Sequence, residues 1–217
     1  MPHRLLTILL SCAGIVGCAA SAPQRPPTQL EQLNARLVQN PRDVQLNMEL
    51  SEYHLQAQDY LRAQQYFNAA EQHLNRQRPD AAGRIASADL RGDLMMLGIR
   101  IAVRSQQYYE AVRRCQLLLD RREDVNIRHM MALMYEAIGD EFAAARQHRL
   151  LVALHSDVPA QHLAAAHFYE RSHLPDRERL AAEHYSRYLS VRPSGPDADA
   201  ARVALAASRL DRADAKE

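Results

Sequence analysis

Apolar side chains recur at intervals of three and four residues from about position 29 almost to the C-terminus. This spacing places them on one face of an α-helix. No stretch alternates apolar and polar side chains with the period of two that is typical of a β-strand. The pattern predicts an all-α domain over residues 29–210, followed by a frayed tail at 211–217.

The predicted helices form pairs, and the pairs repeat along the chain. In the first pair, Ala63 and Ala70 lie on one face of the second helix, with Phe67 between them. Small residues at such positions let two helices approach closely, and the large residue fills the remaining space. The same spacing predicts repeats near 41–75, 88–122, 124–156 and 159–193.

The four copies depart from the pattern in different ways. The second copy carries Gly98 where a large residue is expected. The third copy is the cleanest, and its Gly139-Asp140 pair predicts the turn between its two helices. The fourth copy fits only if three residues are inserted in its turn, around 173–177.

Three segments lie between or beside the repeats. The distance from Asp59 to Asp140 exceeds two repeats, so we predict a connection at 76–87. A leucine-bearing segment at 30–40 predicts the closing helix of an incomplete repeat. Beyond Pro193 we predict a capping helix whose apolar stripe contains Ala200, Val203, Ala204, Ala207 and Leu210.

Over roughly residues 41–196, this spacing resembles the tetratricopeptide repeat. The resemblance implies a right-handed α-solenoid of about four helical hairpins with a C-terminal capping helix. A generic helical-hairpin array or bundle with an accidental alanine spacing is the alternative. Both alternatives belong to the all-α class.

The first 17 residues have the layout of an export signal. A short basic region, His3 and Arg4, precedes an apolar run from Leu5 to Ile15. Residues 5–17 are too short to cross the roughly 30 Å of a bilayer core as a helix that rises about 1.5 Å per residue. We therefore predict a signal peptide over residues 1–17.

The segment that ends this signal, Ile15-Val16-Gly17-Cys18, resembles the bacterial lipobox. The resemblance implies cleavage after Gly17 and a covalent lipid with palmitate-type acyl chains on Cys18. Ala19, rather than Asp, follows the cysteine, which resembles the signal for the periplasmic face of the outer membrane. Residues 18–28 then form the lipidated cysteine and a proline-rich tether. The alternative is an ordinary signal peptide cleaved near Ala20 or Ala22, which leaves a soluble secreted protein.

The charge balance and the cysteine content bear on two features, a nucleic-acid partner and a disulfide. Cleavage removes Arg4 and no acidic residue, so 26 basic residues balance 26 acidic ones in the mature chain. This balance predicts no nucleic-acid partner. A lipidated Cys18 cannot pair with Cys115, so we expect no disulfide and place Cys115 in the core.

The sequence contains no pattern typical of an enzyme or of a metal site. No histidine lies three or four residues from another histidine or a cysteine, and pairs such as His129 and His148 could meet only through tertiary folding. Phosphate-binding and hydrolase motifs are lacking. We predict a non-enzyme with no metal and no cofactor other than the lipid on Cys18.

By the same resemblance, the first helix of each pair lines a concave groove that holds an extended peptide or a partner's helix. The repeat spacing predicts which residues face this groove. They are Gln45, Met48, Glu52, Gln56, Asp93, Met96, Arg100, Arg104, Asn126, His129, Leu133, Glu136, Leu163, His167 and Arg171.

Three hypotheses for function follow. The first is a membrane-anchored periplasmic scaffold that assists assembly of an outer-membrane complex, in the manner of pilotins, Flp/Tad pilus lipoproteins or the repeat lipoprotein of the β-barrel assembly machine. The second is a scaffold that recruits peptidoglycan hydrolases or synthases. The third, a small-molecule binding module or enzyme, requires a deep pocket at residues 76–87. The partner's identity, the oligomeric state and the use of the groove or the convex face stay open.

Overall fold

A computed structural model of the protein describes residues 28–76 and 83–214, with side chains for 28–76 and 89–207. The predicted signal peptide, Cys18, the tether up to residue 27 and the last three residues of the predicted tail lie outside the described residues. Ten helices occupy the described part: α1 (Gln29–Gln39), α2 (Val44–Gln56), α3 (Tyr60–Arg76), α4 (Gly83–Arg104), α5 (Tyr108–Leu119), α6 (Val125–Ile138), α7 (Glu141–Leu154), α8 (Pro159–Arg171), α9 (Arg177–Val191) and α10 (Pro196–Asp214).

Eight of these helices form four consecutive hairpins. The pairs α2–α3, α4–α5, α6–α7 and α8–α9 each pack internally, and each pair packs against the next. Helix α1 packs on α2 at one end, and α10 packs on α9 at the other. The described residues contain no strand. These observations confirm an all-α solenoid of four helical hairpins with a C-terminal capping helix.

The first hairpin shows how small residues allow two helices to approach. Ala63, Phe67 and Ala70 on α3 are all fully buried. The Ser51 hydroxyl on α2 donates a hydrogen bond of 2.8 Å to the backbone carbonyl of Ala63. Because a side chain as short as serine spans the gap, the two helix backbones lie close together, as the alanine spacing predicts.

Helix α1 closes the N-terminal end of the solenoid. The Thr28 hydroxyl accepts a hydrogen bond from the Glu31 amide, and the Glu31 carboxylate accepts one from the Thr28 amide, so the first turn is capped on both sides. Leu33 is buried against Leu46 and Leu50 of α2. These contacts confirm the predicted helix before the first complete repeat.

Helix α10 caps the other end, but with a different face from the predicted one. Its buried residues are Ala198 and Ala201, which pack into the cluster that holds Tyr185 and Tyr188 of α9. Val203 of the predicted stripe is 70% exposed. An alanine-rich helix offers two stripes at helical spacing, and the one that packs here consists of Ala198, Ala201 and Leu205, with Ala204 of the predicted stripe half-buried against the same cluster.

Two helices extend beyond their predicted limits. Helix α4 begins at Gly83, inside the segment 76–87 predicted as a connection, and α10 continues to Asp214, inside the predicted frayed tail. No proline or glycine lies between residues 84 and 91 or after Pro196, so the sequence contains no residue that would stop either helix.

One left-handed residue turns the chain in each of the first three hairpins. Gln58, Gln106 and Gly139 have φ angles of 61°, 60° and 82°. In each turn the next amide donates to the carbonyl five residues back, at 2.7–3.0 Å, which is the Schellman arrangement. The fourth turn takes five residues, 172–176, three more than the third, and this confirms the predicted insertion.

The left-handed glutamines predict a stabilising substitution. A residue with a Cβ destabilises the folded state by about 1 kcal/mol when it adopts this conformation. Gln106→Gly should therefore raise the free energy of unfolding by about 0.5 to 1 kcal/mol, after allowance for the greater freedom of glycine in the unfolded chain. Urea denaturation monitored by circular dichroism measures this change.

The matched control is Gln72→Gly, which makes the same exchange at an exposed position inside α3. Its backbone is already helical, so glycine there should lower the free energy of unfolding by about 1 kcal/mol. Equal effects of the two substitutions would contradict the assignment of strain to Gln106.

Gly98 on α4 lies at a place where the preceding hairpin fills the available space. A Cβ at this position would lie 2.9 Å from two ring atoms of Phe67 and 2.8 Å from the Arg114 guanidinium. Arg114 in turn lies over the Phe67 ring, 4.7 Å from its centroid, in a cation–π contact. The large group missing from the second repeat is therefore supplied by Phe67 of the first.

This packing predicts that Gly98→Ala destabilises the protein. Overpacking against a buried ring costs about 1 to 3 kcal/mol, and the higher helix propensity of alanine offsets about 1 kcal/mol of it. Gly92→Ala is the matched control in the same helix, because nothing lies within 4 Å of its Cβ position. The free energy of unfolding of that variant should rise by up to about 1 kcal/mol. Thermal and urea unfolding of both variants would test the contrast, and a Gly98→Ala protein as stable as Gly92→Ala would refute it.

Candidate partner-binding groove

The first helices of the first two hairpins, α2 and α4, enclose an open cavity of about 300 Å³. Six of its lining residues are among those that the repeat spacing predicts to face the groove. The full lining consists of Gln45, Met48, Glu49, Glu52, Asp93, Met96, Leu97 and Arg100. The structure thus brings together predicted residues that lie some 50 positions apart in the chain.

The cavity combines buried apolar side chains with a polar rim. Met48 and Leu97 are buried, Met96 is half-buried, and Gln45 and Asp93 are exposed. Methionine side chains are flexible and polarisable, so they can pack against apolar groups of different shapes. Such a surface suits a partner segment with at least one apolar side chain.

Two lining residues were not predicted from the sequence. Leu97 lies four residues after Asp93, and Glu49 lies four residues after Gln45, so both share a helix face with a predicted residue. Helical spacing was therefore the signal that could have identified them.

An ion pair crosses the groove from α4 to α2. The Arg100 guanidinium donates a hydrogen bond to the Glu52 carboxylate, and the two side chains are 49% and 36% exposed. At this exposure an ion pair contributes at most about 1 kcal/mol. Asp93 has no ion-pair partner among the described residues. A charged group of a partner can therefore replace one member of this ion pair at a small cost in free energy.

A similar ion pair joins the first helices of the third and fourth hairpins. Glu136 on α6 accepts hydrogen bonds from Arg171 on α8 at 3.1 Å and from His148 on α7 at 2.8 Å. Burial raises the pKa of Glu136, but the hydrogen bonds and charges of His148 and Arg171 outweigh it and hold the pKa below its ordinary value. Glu136 thus fixes three helices relative to one another.

The other predicted groove residues do not line the 300 Å³ cavity. Leu133 is 44% exposed, His129 is half-buried with an unpaired Nδ1, and the half-buried His167 contacts the Tyr185 ring edge-on at 5.9 Å. Burial lowers the pKa of His129. The predicted residues that lie outside this cavity are Gln56, Arg104, Asn126, His129, Leu133, Glu136, Leu163, His167 and Arg171.

The remaining candidate chemistry of the sequence lies in the core. Cys115 is fully buried, as predicted, and burial raises the pKa of its thiol to about 11. A protonated, buried thiol is a poor nucleophile. His148 is also buried and stacks on Phe168 at 4.8 Å. Among the described residues no three histidine, cysteine or acidic side chains are grouped so that they could hold a metal ion.

One buried histidine pair was not predicted, because its members lie 22 residues apart on α8 and α9. The Nδ1 atoms of His162 and His184 lie 3.3 Å apart, and His162 Nε2 lies 3.2 Å from the Ser156 carbonyl. A proton on His162 Nε2 satisfies that carbonyl, so His184 Nδ1 donates to His162 Nδ1. Burial, and then the charge of His162, lower the pKa of His184 to about 4.

The low pKa of His184 predicts a loss of stability in acid. The unfolded chain binds a proton on this residue near its ordinary pKa of 6.5, whereas the folded chain binds it only near 4. The free energy of unfolding should therefore fall by about 3 kcal/mol as the pH drops from 6.5 to 4. His184→Gln keeps a donor for His162 but cannot titrate. Its stability should depend less on pH over this range, and parallel urea-denaturation curves for the two proteins would contradict the assignment.

The described residues contain no helix that is both long enough and apolar enough to cross a bilayer. No protein-family model matches the sequence, and no curated protein matches it. Among solved structures, the protein is similar to a chain of the APC/C hetero-tetramer Cut9-Hcn1, with a TM-score of 0.49 and 16% sequence identity. The similarity covers 82% of this chain and 32% of that chain, so the protein spans about a third of the length of its structural neighbour. A likeness at this level carries no information about function.

Proposed function

We propose that this protein is a membrane-anchored scaffold that holds a protein partner of the cell envelope in the groove between α2 and α4. In this role it assists the assembly or positioning of an outer-membrane complex, such as a secretin or a pilus. The observation that supports the proposal is the cavity of about 300 Å³, because two successive hairpins supply its apolar and charged lining.

A protein partner suits this site better than a small molecule. The cavity is open to solvent, and a stack of hairpins offers an extended surface beside it. Pockets for small ligands bury most of the ligand's surface, which an open groove does not. The third hypothesis requires a closed polar cavity at residues 76–87, and residues 77–82 of that segment lie outside the described residues.

The fold supports a groove that works close to the proposed anchor. The ten residues that follow Cys18, up to and including Thr28, would reach at most about 35 Å if fully extended. Thr28 caps α1, and Arg36 of α1 forms an ion pair of 3.3 Å with Glu49, which lines the cavity. The groove is therefore next to the helix at which the tether ends.

The anchor is tested by mass spectrometry of the mature N-terminus. We expect a chain that begins at an acylated Cys18, and we expect Cys18→Ala to move the protein from the membrane fraction to the soluble fraction. Cys12→Ala is the matched control and should leave the protein in the membrane fraction. An unmodified chain that starts after Ala20 would exclude the anchor.

The groove is tested by photocrosslinking in cells, with p-benzoylphenylalanine replacing Met96. We expect a covalent adduct with an envelope protein from position 96 and none from position 117, where Leu117 is 42% exposed on the second helix of the same hairpin. Arg100→Glu places a second carboxylate beside Glu52 and should weaken capture on the order of tenfold, which corresponds to about 1.4 kcal/mol.

The identity of the captured protein decides between the two scaffold hypotheses. A secretin or barrel component supports assembly, and deletion of the gene should then lower the amount of secretin multimer in the outer membrane. Capture of a peptidoglycan hydrolase or synthase would instead support the second hypothesis, a scaffold that recruits these enzymes. Capture from position 117 alone would show that the groove is not the binding site.

A further inference from the structure

Three large apolar side chains protrude from equivalent places in the first three hairpins. Leu61, Tyr109 and Phe142 are each the second residue of the second helix of their hairpin. They are 72%, 76% and 75% exposed, which is more than a side chain of this kind ordinarily shows when it belongs to a core. We call these three side chains the apolar row.

The turns place the apolar row along one edge of the solenoid. Each member follows the left-handed residue of its turn by three positions, from Gln58, Gln106 and Gly139 respectively. Because the turns have the same geometry, the second helices start at the same edge and run parallel. The three members belong to three successive hairpins, so the row runs along the direction in which the hairpins stack.

The fourth hairpin continues the row with a cation. Three positions after the left-handed Asp176 stands Arg179, the third residue of α9. Its side chain is 56% exposed and pairs with Asp176 at 3.5 Å and with Glu183 at 3.6 Å. Arg146 lies four residues after Phe142, on the same helix face. Arg146 is exposed and has no ion-pair partner among the described residues. The edge thus carries protruding apolar side chains with exposed arginines behind and beside them.

Two acidic residues at this edge, Glu110 and Glu141, are already paired. Glu110 accepts hydrogen bonds from Arg113 at 2.7 and 2.8 Å and pairs with Arg114 at 2.7 Å. Glu141 accepts from the amide and the ring Nδ1 of His173, each at 2.9 Å. These two carboxylates therefore already have partners. The exposed Asp140 carboxylate caps α7 by accepting a hydrogen bond of 3.0 Å from the Ala143 amide, and Arg146 is an exposed cation of the same helix.

The area of the apolar row is small for a protein interface. Three large side chains at about three-quarters exposure offer roughly 450 Å². A stable interface takes about 800 Å² from each partner. Insertion into a bilayer interface has no such requirement, because aromatic and aliphatic tips partition there individually while arginines contact anionic headgroups.

We infer that the edge formed by Leu61, Tyr109 and Phe142 inserts into the interface of an anionic lipid bilayer, with Arg146 bound to a headgroup phosphate. This contact involves none of the groove residues and does not depend on which partner the groove holds. It orients the solenoid on the bilayer.

Photocrosslinking with p-benzoylphenylalanine in the full chain, bound to vesicles of phosphatidylethanolamine and phosphatidylglycerol, tests the inference. The crosslinker replaces Tyr109 or Phe142, and the matched control replaces Leu154, which is 52% exposed at the opposite end of α7. We expect lipid adducts from positions 109 and 142 in about fivefold or greater excess over position 154. Arg146→Glu should lower these adducts on the anionic vesicles but not on vesicles of phosphatidylcholine.

The ratio between the two ends of α7 does not depend on how the N-terminus holds the protein to the vesicle, because an unoriented protein exposes both ends equally. Equal yields from positions 142 and 154, or no lipid adduct at all, would overturn the inference. Adducts with a second copy of the chain in place of lipid would also overturn it and assign the row to self-association. Adducts from position 96 in cells report on the groove separately.

Discussion

The close approach of two helices within each hairpin is the constraint on which the rest of the structure depends. Ala63, Ala111, Ala144 and Ala181 occupy the same position in the four second helices, and each is buried. A larger residue there would separate the two helices of its hairpin. The approach matters beyond the hairpin as well. The Phe67 ring on α3 fills the space beside Gly98, so the packing of the first hairpin determines how closely α4 can lie beside α3.

The sequence predicted those parts of the fold that repeat and missed those that depend on single positions. Alanine spacing and helical period identified four hairpins, the insertion before α9 and the capping helix. Gln58 and Gln106 gave no sign of a left-handed turn, because only glycine marks that conformation reliably. The prediction of which face of α10 is buried was wrong. The alanines of this helix form two stripes, and only the packing against the neighbouring helix decides between them.

The candidate groove likewise has features that the repeat spacing predicted and features that it could not predict. The positions from Gln45 to Arg100 follow from repeat spacing within two regular hairpins, and the structure places six of them around one cavity. The partners of Glu136 could not be predicted, since His148 and Arg171 approach it from two other helices. The pairing of His162 with His184 likewise exists only after α8 and α9 have packed. Periodicity gives the direction of a side chain along its own helix, but contacts between helices depend on the packing itself.

The left-handed turn determines the position of both proposed surfaces, the groove and the apolar row. By reversing the chain after each first helix, it brings α2 and α4 side by side as the walls of the groove. By fixing where each second helix begins, it aligns Leu61, Tyr109 and Phe142 along one edge. The groove is built from the sides of the first helices and the edge from the tips of the second ones, so residues at either surface can change without disturbing the other. The scaffold that we propose, which holds a client while it lies against a bilayer, needs that independence.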